Sequence, residues 1–361
     1  MGKLDLYTSQ GLQLLRGKQD PLADRAVKAL LAAPEWAVQI NTWKDLPTGS
    51  LSGMPKDLAD FLAFYQVRTW KADGEMVSRA QHFFEKHASV YLTLLGFYSL
   101  PYTYAFADGA QVLVRSKRIL EDTGRRLDET LFFVLEAFRP GTFMDNGQSL
   151  LTLAKVRLIH AFSRYFIHTY ASDWDLAWGQ PINQEDLLGT NLAFSLIVLR
   201  GFNKAGISVG KLDMEALLHY WKWIGVANGL DVRYWPETAK EAFWLEKRIR
   251  ERHVRKADAG VLLMSKLLKF YQATLPTAVP IQVLEGLIAH FLGEELAAVL
   301  SLSKTKLVPS TAYGFLVSTG FFTSSSHLDS YPRIRRFFEL QMQEKYGKSM
   351  HLQIPVPGRR F

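Results

Sequence analysis

The chain is predicted to be all-α, one large helical domain. Its 361 residues are 48% hydrophobic, enough to bury a large core. Helix formers fill the patterned stretches, and no run of alternating β-branched residues exceeds a few positions. Glycine and proline are scattered along the chain, so no long linker is expected.

Taken in order, a helix near Asp20–Ala33 precedes a turn-rich stretch from Lys44 to Pro55. Pro55–Trp70 reads as a helix ending at the Lys71–Gly74 break. Glu75–Ser99 is a long amphipathic helix stopped by Pro101. Phe106–Glu121 continues helically, and Thr123-Gly124 punctuates the chain before a helix over Leu127–Phe138 that Pro140-Gly141 ends. Asn146–Tyr170 follows. After the loop Asp173–Asn183, Asn183 is the expected cap of a helix reaching Phe202. The remaining helices are expected at Asp213–Ala227, Glu237–Lys256, Ala259–Gln272, Ile281–Leu302 and Ile334–Tyr346. No fixed-period repeat appears, which disfavours a solenoid.

Composition removes several function classes. Without cysteine there are no disulfides, thiolate metal sites, iron–sulfur clusters or thiolate-ligated haem. The net charge of +8 falls mainly in Lys247–Lys256 and Arg333–Arg336, which lack interleaved aromatics for base stacking, so nucleic acid is not an expected partner. Two uncharged runs, Ala88–Ala107 and Leu307–Ser326, contain proline and several hydroxyl residues. They are expected to be core and not transmembrane segments. The first residues carry no apolar export signal, and the expectation is a cytoplasmic protein.

Three pattern matches carry little. Gly206-Ile-Ser208-Val-Gly210 lacks the preceding strand that a nucleophile elbow needs. His82 and His87 stand at i,i+5 and cannot converge on one metal, and His290 with Glu294 is a lone pair.

The chemistry is expected on two helices. Arg157, His160 and Arg164 sit at i−3, i and i+4 in an apolar segment and share one helical face. Two buried guanidiniums beside an imidazole call for an anion. A haem would answer, with iron on His160 and propionates near the arginines. With no cysteine, such a haem is held by His, Met or Tyr. Arg126, Glu129, Thr130 and Phe133 share a face of the preceding helix, which is soon buried by Phe132-Phe133-Val134-Leu135. A cation beside a carboxylate and a hydroxyl is what activation of dioxygen or peroxide needs: the cation stabilises developing negative charge and the carboxylate relays a proton.

These two helices resemble those of the haem b oxygenases that include the rubber-cleaving latex-clearing proteins and the fungal oxygenase of mycophenolic acid biosynthesis. The shared patterns are Arg126…Thr130 and Arg157…His160-Ala161…Arg164. Supporting matches are Ser99-Leu-Pro101-Tyr-x-Tyr104, Gly179-Gln-Pro-Ile-Asn-Gln184 and Trp221-Lys-Trp-Ile-Gly225, over roughly residues 65–235. The resemblance implies haem b ligated through iron by His160 in a globin-like helical core, with Arg157 and Arg164 supporting its propionates. It also implies a distal pocket lined by Arg126, Glu129 and Thr130. Rubber-cleaving members are similar but place a lysine where this chain has Glu129, and an upstream carboxylate where it has Ala110, with Asp108 nearest. Both departures, with the missing export signal, weigh against rubber cleavage.

The expected organisation is thus peripheral helices over 1–60, a haem-binding oxygenase-like domain over 61–300, and a helical extension over 301–361 packed on it. The expected function is a haem-dependent oxygenase or peroxygenase acting on an apolar small molecule. Two alternatives stay open here: a non-catalytic haem-binding sensor or carrier, and a cofactor-free all-α interaction protein.

Overall fold

The computed structural model describes residues 2–49, 51–66, 72–116, 122–144, 147–274, 279–303 and 330–357. Among these residues the regular structure is helical, with one isolated bridge between Phe106 and Val254. The N-terminal helices are α1 (Lys3–Leu6), α2 (Ser9–Arg16), α3 (Pro21–Ala32), α4 (Glu35–Thr42) and α5 (Lys56–Gln66). Next, α6 (Gly74–Leu94) passes through a π-helical turn, Leu95–Ser99, into α7 (Leu100–Tyr104) and α8 (Ala107–Arg115). α9 (Thr123–Ala137) and α10 (Gly147–Tyr170) follow. A second π-helical turn, Ala193–Ile197, joins α11 (Gln184–Leu192) to α12 (Val198–Lys204). The rest is α13 (Lys211–Ala227), α14 (Ala239–His253), α15 (Asp258–Thr274), α16 (Ile281–Leu292), α17 (Glu294–Val299) and α18 (Tyr331–Tyr346).

Local chemistry explains most boundaries. Asn183 caps α11 as expected, its side chain accepting from the Asp186 amide at 3.0 Å. α9 starts four residues earlier than expected, because Asp122 accepts from the Arg125 amide at 2.9 Å and Thr123-Gly124 becomes its first turn. The expected stop at Pro101 does not occur. The π-helical turn delivers Pro101 to the first turn of α7, where its missing N–H has no partner to lose. The expected Ile281–Leu302 helix divides at Gly293, whose φ of 85° ends α16. The uncharged run Ala88–Ala107 is internal, with Tyr91, Leu94 and Tyr104 each no more than 1% exposed, and no described helix is long and apolar enough to cross a membrane. The other uncharged run, Leu307–Ser326, lies outside the described residues.

α6 packs along α13, and their seam carries the large buried aromatics. Phe84 stacks on Phe138 at 4.2 Å, and Phe138 on Tyr220 at 4.9 Å. Each such ring contributes about 1.5–3 kcal/mol by leaving water. The two π-helical turns meet: Ser99 donates to the Ala193 carbonyl and Tyr91 to the Phe194 carbonyl, each at 2.5 Å.

α10 lies between α3 and α9. Its arginines answer to α3, so this N-terminal helix takes part in framing α10. Arg157 binds Asp20 bidentately at 2.6 and 2.8 Å and lies over the Phe64 ring, while Arg164 pairs with Asp24 at 2.7 Å. Gly229, with φ of 90°, lets the backbone pass over this pair, since a Cβ there would stand 2.2 Å from Asp20 Oδ2.

A second buried ionic group ties α2, α8, α11 and α14 together. His253 Nδ1 lies 3.1 Å from Asp108, and its Nε2 lies 3.0 Å from Glu185. Arg252 pairs with Glu185 at 2.8 Å, Arg16 with Asp186 at 3.1 Å, and Arg255 with Asp108. Burial pulls the His253 pKa down, but its hydrogen bonds to Asp108 and Glu185 outweigh that and raise it.

Two outcomes follow from these groups. Asp20→Ala strands a buried guanidinium and should cost about 3–5 kcal/mol in urea unfolding; a loss under about 1 kcal/mol would show that the pair does not frame the fold. A raised histidine pKa gives stability that is complete below the unfolded value, about 6.5, and is lost as pH rises through the folded value. Calorimetry should therefore show the melting temperature of the native chain falling from about pH 6.5 upward, and His253→Gln should lack that component.

Candidate functional site

α9 and α10 pack side by side, and the groove between them opens into a cavity of about 580 Å³. This volume lies within the ordinary range of small-molecule sites. Leucine and phenylalanine are the commonest residues of the wall. Trp221 stands there between Phe194 at 5.0 Å and Phe133 at 6.4 Å, with its indole N–H held by Tyr91 at 2.9 Å.

Four sequence-derived residues meet in this cavity: Arg126, Glu129, Thr130 and His160. His160 keeps some accessible surface, but that surface belongs to the enclosed cavity. Burial, reinforced by the nearby charges of Arg164 and Arg126, lowers its pKa to about 3. The imidazole is neutral at physiological pH, the form that ligates metals. Its Nδ1 is buried without a hydrogen-bond partner among the described residues. A bare transition-metal ion asks for about four protein ligands, and among the described residues no group of three or more His, Cys, Asp or Glu is placed to hold one. A macrocyclic cofactor supplies most of its metal's ligands itself and would ask the protein for a single imidazole, which this residue set offers.

On the facing helix, Glu129 sits 3.7 Å from Arg126 and 3.8 Å from Arg125. These are charge contacts at a distance and leave the carboxylate in the cavity wall. The Thr130 hydroxyl donates to the Arg126 carbonyl at 2.9 Å, so toward the cavity its oxygen offers lone pairs and no proton.

Arg157 and Arg164 are the departure. Neither lines the cavity, and both are neutralised from within the chain by Asp20 and Asp24. The need for an outside anion therefore falls away. Both arginines are rotated by roughly 50° to the same side of His160 at 100° per residue, which aims them at α3 while His160 meets the cavity.

Several wall residues were not foreseen. Asn191, Asn228 and His253 line the cavity; the two asparagines stand in largely apolar stretches, the only signal the sequence offered, whereas His253 lies in the charged run Lys247–Lys256 and offered none. α18 and the segment after it form part of the wall through Ile334, Phe337, Phe338 and Leu352. α18 is fastened to α9 by Lys345 and Tyr346 on Asp128, at 2.7 and 2.8 Å, and by Arg335 on Glu136.

Known proteins share this architecture. The structure of latex clearing protein LCP in the closed state superposes with a TM-score of 0.76, covering 95% of this chain and 94% of that one at 21% identity, a likeness of fold. The rubber oxygenase of Streptomyces sp. (strain K30) is 24% identical over 272 residues, 74% of this chain, and the match spans 66% of that relative's length. The family model described as ER-bound oxygenase mpaB/B'/Rubber oxygenase, catalytic domain, matches residues 99–318, more than half of the chain and including both α9 and α10. The chain belongs to this oxygenase family.

Proposed function

We propose that the protein is a haem b-dependent oxygenase acting on an apolar small molecule, with His160 as the residue that would ligate its iron. The observation that carries this reading is a neutral, unpartnered imidazole in the wall of a largely apolar cavity that also contains Arg126 and Glu129. The bound haem would supply redox chemistry toward dioxygen or peroxide.

The chain's own residues have separable tasks. His160 offers a lone pair and is held neutral by its surroundings, so no proton competes for it. Arg126 contributes positive charge where negative charge develops on the oxidant, in a site whose apolar wall keeps the local dielectric low. Glu129, within 4 Å of two guanidiniums and nearly enclosed, passes a proton between the oxidant and the outside. Thr130 accepts a hydrogen bond and donates none to the cavity. Arg157 and Arg164 are positioning residues: through Asp20 and Asp24 they fix the roll of α10, and with it the direction of His160.

Pyridine haemochrome analysis of protein expressed with a haem precursor should find haem b. A colourless protein under those conditions refutes the cofactor. Glu129→Ala should keep the haem and slow product formation under oxygen or peroxide by about 10²- to 10⁴-fold. An unchanged rate removes its proton-relay role, and haem with no turnover in the native protein favours a sensor or carrier.

A further inference from the structure

The oxidation chemistry leaves two carboxamides in the cavity wall without a task. Asn228, just beyond α13, is 7% exposed. Its Nδ2 donates to the Ile224 carbonyl at 3.0 Å, and its Oδ1 is buried with no partner among the described residues. The amide orientation is fixed by that bond, because a flip would press Oδ1 against a carbonyl oxygen. Asn191, on α11, is also 7% exposed and shares the wall. Its amide lies over Gly225, one turn before Asn228, where a Cβ would come within 2.2 Å of Nδ2. The glycine makes room for that amide.

A buried acceptor left without a donor is costly, so its natural complement arrives with the ligand. A plain hydrocarbon leaves the deficit in place. A carboxylate brings only acceptors and cannot supply the missing donor. A hydroxyl satisfies both amides, donating to Asn228 Oδ1 and accepting from Asn191 Nδ2.

We propose that Asn191 and Asn228 form a hydroxyl-binding subsite, so that the molecule this cavity takes is an apolar skeleton bearing a neutral alcohol or phenol. This rests on the cavity being the substrate site, and it narrows the substrate class beyond apolar small molecules.

The test is calorimetric binding of 1-decanol, its methyl ether and decanoate to the purified protein, with haem content measured in parallel. The native chain should prefer decanol over the ether by about 10-fold, the worth of one hydrogen bond, and bind decanoate more weakly than decanol. Asn228→Leu should bring the alcohol-to-ether ratio close to one. Asn191→Leu, which leaves the Asn228–Ile224 bond intact, should lower it too and serves if the first variant does not fold. Equal binding of alcohol and ether by the native chain, binding of neither, or a ratio that survives both substitutions overturns the subsite. Equal binding would also show that a water alone answers Asn228. An alcohol preference in protein free of haem would sink the cofactor and spare the subsite, whereas haem without the preference would do the reverse.

Discussion

The roll of α10 about its own axis is the constraint on which the rest depends. Arg157 and Arg164 are two turns apart on one edge of the helix, and both are buried. An unpaired guanidinium in that position would be strongly destabilising, so the helix must present this edge to Asp20 and Asp24 on α3. Once that edge is fixed, His160 can only face the space between α9 and α10. A buried ion pair is weak evidence for net stability but good evidence for orientation, because any other roll breaks it. The same geometry explains why the bidentate pair is roofed by Gly229: a side chain there would displace Asp20.

Much of this was legible in the sequence. The spacing of Arg126, Glu129 and Thr130, and the placing of His160 among apolar residues, identified the two helices and the four residues that share the cavity. Caps such as Asn183 could be read directly, since one side chain decides them. The identity of the anion for Arg157 could not, because Asp20 lies 137 residues away and helical spacing cannot see across the chain. A face defined by i−3, i and i+4 is also too wide: the roughly 50° between His160 and its arginines separates a cavity from a salt bridge. The π-helical turns escaped for a related reason. Their extra residue is accommodated by tertiary hydrogen bonds, Ser99 to Ala193 and Tyr91 to Phe194, and that is why Pro101 does not end the helix.

The molecule keeps two electrostatic regimes apart. Beside α10 the surroundings suppress charge on an imidazole, leaving His160 a neutral donor. Between Asp108 and Glu185 they promote it, making His253 an ionic tie among four helices. Identical side chains thus serve opposite ends because one is buried, with guanidiniums nearby, and the other has carboxylates in contact. The wall around them is assembled from distant parts of the chain. α18, which lies beyond the family-matched segment 99–318, contributes Phe337 and Phe338 and is pinned to α9 at Asp128, next to Glu129. Cavity shape can therefore vary through this element while α9 and α10 stay the same.

The central claim is that His160 is the residue that would ligate the haem iron. Its most direct measurement is chemical rescue of His160→Gly. The variant should lose the Soret band of the native protein and regain a histidine-like spectrum when imidazole is added to fill the vacated space. A native-like spectrum in the variant without imidazole would place the ligand elsewhere and contradict the account.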